Sequence, residues 1–144
     1  MKPSPELILN QAFAKIAMEM GPALPPGYGQ GSATTTAVLL LMVAQEFNRA
    51  AAIRKSENDA MRQLFGDVAA GFDGALGQAL KGAAAGSDTD LTVSALDKAN
   101  GELKTLLIAL QTQAEERRDP ALEGRIIRLL QAWAAARQVF LPAM

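Results

Sequence analysis

The chain has 144 residues, 49% of them apolar and 20% charged, a balance that supports a folded core rather than a disordered chain. Its 14 Lys and Arg against 15 Asp and Glu leave no basic excess, which argues against a nucleic-acid partner. It contains neither Cys nor His, so disulfides, thiolate nucleophiles, His-based triads and the commonest metal ligands are excluded, and no catalytic residue, metal or cofactor is expected.

The length suits one domain, 1–144, and the pattern along it is helical throughout. The opening "MKPSPELILNQAF" offers Ser4 as N-cap and Pro5 at the first helical position, with Leu7, Ile8, Ala12, Ile16 and Met20 continuing the helix. It has no sustained apolar core before a small-residue cleavage site, so no secretory signal is read and a cytoplasmic location is expected. The high alanine content suits a bacterial chain.

"GPALPPGYGQG", residues 21–31, is too rich in Gly and Pro for a regular element and is expected to be a loop. Ser32 would then cap a second helix running to about Lys55. Its apolar stretch, residues 33–44, falls short of the about 20 residues that a membrane span needs, so a core helix and no membrane are expected. "SEND", residues 56–59, has capping-box spacing and marks a break near 56–58 and a third helix to about Ala85. "GSDTD" breaks the chain near 86–90 before a fourth helix reaching Arg118. "DP" at 119–120 opens a fifth that ends near Phe140. Each of the last three carries an apolar stripe at helical spacing: Met61, Leu64, Phe65 and Phe72; Leu96, Leu103, Leu107 and Leu110; Leu122, Ile126, Trp133 and Phe140. The fold class is all-α, a single-domain antiparallel bundle of about five helices.

Four places draw attention as sites. Glu46 falls at about 80° on a wheel with Val38 at zero, between Ile53 and Leu39, inside the apolar face. It would pair with Arg49 or Arg137, or anchor a ligand as a buried carboxylate. The Gly27, Gly29 and Gly31 stretch with Tyr28, Ser32 and Thr34 precedes a helix N-terminus, the arrangement of an anion site, but lacks the leading strand and the Lys of a phosphate loop. Over this stretch alone the chain resembles the glycine-rich loop and Ala-rich helix of the folate cyclodeaminase-like all-α family, and the resemblance implies no activity here. Gly66, Gly71, Gly74 and Gly77 would form an exposed face on the third helix where a second backbone approaches closely, inside the bundle or across an interface. Arg137, beside Trp133, could snorkel at a helix C-terminus or recognise an acid group.

The leading expectation is a protein without enzymatic chemistry that acts by contact with a homo-oligomer partner or another protein, its near-zero charge offering little resistance to association. The alternative is binding or catalysis on a small apolar or acidic ligand in a bundle cavity, anchored by Glu46, Arg49 and Arg137.

Overall fold

The computed structural model describes residues 2–140 and is all-α, with no strand among the described residues. Five helices make up most of it: α1 (Pro5–Lys15), α2 (Tyr28–Val68), α3 (Gly74–Ala84), α4 (Val93–Arg117) and α5 (Pro120–Ala136). Ser4 caps α1 as expected, its hydroxyl accepting from the Leu7 N–H. Asp119 caps α5 in the same way through Leu122, with Pro120 at the first position. Between α4 and α5, Arg118 adopts left-handed φ 54°.

Three expected boundaries are corrected. The loop placed at 21–31 is much shorter: a π turn at Ile16–Met20 runs into a helical turn at Gly21–Ala23, and α2 already begins at Tyr28. Only four residues lie between them: Leu24, which is extended, Pro25 and Pro26, which cannot donate to a helix interior, and Gly27, at φ 142°. Ser32 is therefore inside α2 rather than capping it. The break at 56–58 does not exist either, because α2 is one helix of 41 residues. No Gly or Pro stands between Ser32 and Phe65 to stop it. Of "SEND", Glu57 and Asn58 instead find partners far along the chain, while Asp59 pairs with Lys55 one turn back. Finally, the helix expected from 57 to 85 is interrupted: Ala69–Gly71 form a 3₁₀ turn, Phe72 is extended, and Gly74 takes φ 68° to open α3.

The chain forms two compact units, residues 2–50 with 139–140, and residues 51–138. In the first, α1 lies alongside the start of α2. Phe13, Ala37 and Leu41 form its small core, with Ala14, Ile16, Ala17 and Leu40 packed around it. Gln45 brackets the Phe140 backbone, donating to its carbonyl at 2.6 Å and accepting from its N–H at 3.0 Å.

The second unit has the larger core. Met61, Leu64 and Phe65 of α2 meet Leu80 of α3, Leu103, Leu107 and Leu110 of α4, and Leu122, Ile126 and Trp133 of α5. Apart from Leu80, which the break at 69–73 brings to the core, these lie on the stripes read from sequence, and burying such side chains stabilises the fold by about 1.5–3 kcal/mol each. Phe140, placed on the α5 stripe from sequence, is exposed, since α5 ends at Ala136.

Candidate functional site

Glu57 is a buried carboxylate, only 2% exposed. It sits four residues after Ile53 and four before Met61, on the core face of α2. Arg137, the C-cap of α5, donates to it twice, Nε to Oε1 at 2.6 Å and Nη2 to Oε2 at 2.8 Å. Asn100 of α4 donates to the same Oε2 at 3.0 Å, and the Lys104 ammonium stands 3.5 Å from it.

From there the polar cluster continues without a gap. Asn100 also donates to Asn58 Oδ1 at 2.9 Å, and Asn58, fully buried, donates to Asp88 at 3.1 Å and to the Leu96 carbonyl at 3.3 Å. Arg62 closes on Asp88 with two parallel bonds, 3.0 and 2.7 Å. The cluster thus joins α2, the 86–92 segment, α4 and the end of α5.

Burial pushes the Glu57 carboxyl up. The Arg137 hydrogen bonds and charge, the Lys104 charge and the Asn100 hydrogen bond outweigh that, and hold it below the ordinary value of 4.5. Asp88 is likewise held below its ordinary value, chiefly by its hydrogen bonds with Arg62, against the opposing effect of burial. Both groups are therefore ionised acceptors at neutral pH and poor proton donors, which suits a clamp between helices better than acid catalysis.

The residues singled out from sequence fall in different places. Glu46 is half-buried on α2, and Arg49, one turn on, donates from Nε to the Gln45 carbonyl at 3.1 Å. Arg137 lies in the other unit, on Glu57. Tyr28 is 95% exposed at the start of α2. Ser32 and Thr34 are exposed inside the helix, and the hydroxyls of Thr34, Thr35 and Thr36 donate back to the carbonyls of Gln30, Gly31 and Ser32 at 2.9–3.1 Å. Those donors are committed to the helix itself, and the helix N-terminus is four residues upstream of Ser32.

Nor do the four glycines share one helix face. Gly66 is on α2, where an added Cβ would rest 3.6 Å from that of Ala84; Gly71 ends the 3₁₀ turn; Gly74 and Gly77 open α3. Gly77 is buried, and a Cβ there would come within 1.9 Å of the Phe72 carbonyl oxygen, a close approach only glycine permits.

Two further features were not read from sequence. An apolar stripe of α2 is open: Leu39, Met42, Val43 and Phe47, each between 41% and 55% exposed. Their spacing of three, four and eight puts them on one side of the helix. The second is a cleft of about 410 Å³ between α4 and α5, lined by Lys104, Leu107, Ile108, Leu130, Trp133 and Arg137 among others. No group of three Asp or Glu side chains able to hold a metal occurs among the described residues.

These features define an all-α protein with a clamped core and an open apolar helix face. Comparison with known proteins finds no matching family model, curated protein or solved structure.

Proposed function

We propose that this protein acts by association, and that a second copy of the chain covers the open stripe of α2. The observation that carries this reading is an imbalance within residues 2–50. Their buried apolar side chains are Phe13, Ala37, Leu41, Ala44 and Ala50, of which only Phe13 and Leu41 are larger than alanine, while Leu39, Met42, Val43 and Phe47 face solvent. A unit so small gains little from a core of that size, and large exposed apolar faces mark contact sites.

Charge supports a like partner. The chain is nearly neutral, at −1, with Glu46 falling between Met42 and Leu39 on the same side of the helix and Arg49 beside it. A chain so close to neutral offers little resistance to association with its own copy.

By length and composition α2 could also cross a membrane, and 28% of its most apolar window is buried. Glu46 and Arg49 lie inside that window, which suits a protein contact better than a lipid one.

The test is sedimentation velocity on the chain and on the Val43→Glu/Phe47→Glu variant. Both side chains are about half exposed, so the variant keeps its helical circular dichroism. The parent should self-associate at micromolar concentration and the variant should remain monomeric. A monomeric parent that instead floats with lipid vesicles, or a variant that dimerises like the parent, overturns the reading.

A further inference from the structure

The cleft between α4 and α5 has the attributes of a ligand site rather than a packing defect. At about 410 Å³ it falls in the range of small-molecule pockets, about 300–1,000 Å³. Its floor and walls are apolar: Leu107 is buried beneath it, and Ile108 and Leu130 stand exposed at its sides. Its two cationic groups are gathered at one end, and Gln111 stands two turns further along α4. The Lys104 ammonium lies 5.2 Å from the centre of the Trp133 ring, and Arg137 adjoins both.

Lys104 is held loosely. The Glu57 oxygen nearest to it, at 3.5 Å, already accepts closer bonds from Arg137 and Asn100. Its side chain is 38% exposed, on the rim of the cleft. A cation over an aromatic ring, with an apolar trough leading away from it, is complementary to a molecule that has one anionic end and an aliphatic body.

We infer that this cleft binds a small amphiphilic carboxylate, its carboxyl on Lys104 and its chain along Leu107, Ile108 and Leu130. This site lies outside the α2 stripe and does not depend on self-association.

Trp133 is the single tryptophan, so its emission reports on the cleft directly. The experiment titrates the full-length protein with decanoate and, in parallel, with decanol. Decanoate should change the emission saturably and bind at least tenfold more tightly than decanol. Lys104→Met, which keeps the aliphatic stem, should remove that preference while leaving the weak decanol response in place. Ala134→Phe, which fills the cleft and keeps the charge, should weaken both probes. Absence of a saturable change up to millimolar decanoate overturns the inference. So does equal binding of decanol, or a Lys104→Met variant that folds and binds decanoate like the parent.

Discussion

Replacing Glu57 by Gln probes the clamp with almost no change of shape. The carboxylate accepts two short bonds from Arg137 and one from Asn100, with Lys104 nearby, so the substitution removes charge from a side chain that is 2% exposed. Breaking one partner of a buried ion pair costs about 3–5 kcal/mol. Here Arg137 and Lys104 are 37% and 38% exposed and regain water, which discounts that figure. The Gln amide also turns a donor toward groups that are all donors, which adds back part of the loss. The net expectation is about 2–3 kcal/mol. With a urea slope of about 1–3 kcal/mol per M, the midpoint falls by roughly 1 M or more. Equilibrium urea unfolding followed by circular dichroism measures it. A midpoint within about 0.2 M of the parent refutes the reasoning. Glu46→Gln, at a half-buried position, should cost less than about 1 kcal/mol.

Further outcomes follow from the same contacts. Glu57 and Asp88 both have folded pKa values below their ordinary 4.5 and 3.8, so the stability they contribute is present above those values and is lost as the pH falls through the folded ones. Urea midpoints taken from pH 7 down to pH 3 should therefore decline at the acid end, and less steeply in Glu57→Gln; identical profiles would contradict the assignment. Gly77→Ala forces a Cβ to within 1.9 Å of the Phe72 carbonyl and should destabilise by about 1–3 kcal/mol. Gly101→Ala, on an open face inside α4 with nothing within 4 Å, should stabilise by about 0.5–1 kcal/mol; thermal melts of the two variants should shift in opposite directions. Phe65→Ala empties a fully buried position at the centre of the larger core and should cost about 3–5 kcal/mol in the same urea assay.

The all-α class and the stripes of the larger core were legible because 3.6-residue periodicity reports which side of a helix is buried. Leu96, Leu103, Leu107 and Leu110 fell where the pattern put them, as did Met61, Leu64 and Phe65. The clamp was hidden by a local signal. "SEND" satisfies capping spacing, and reading it as a helix start removed Glu57 and Asn58 from the period that links Ile53 to Met61. Continuing that period would have exposed two polar residues in a core column, which is the mark of a long-range polar network. Glu46 misled for the opposite reason. The buried side of α2 changes along its length, from Ala37, Leu41 and Ala44 to Ala50, Ile53 and Glu57, so one wheel cannot describe both ends. Gly77 was one of four glycines read as admitting a close backbone approach, but the backbone that approaches it is that of Phe72, just before α3, which no helix wheel could identify.

The association reading is tested most directly by native mass spectrometry of the purified chain at two concentrations. The account predicts a dimer of the 15.2 kDa chain that grows with concentration. A monomer at both, persisting toward millimolar protein, would contradict it and leave the α2 stripe without the partner proposed for it.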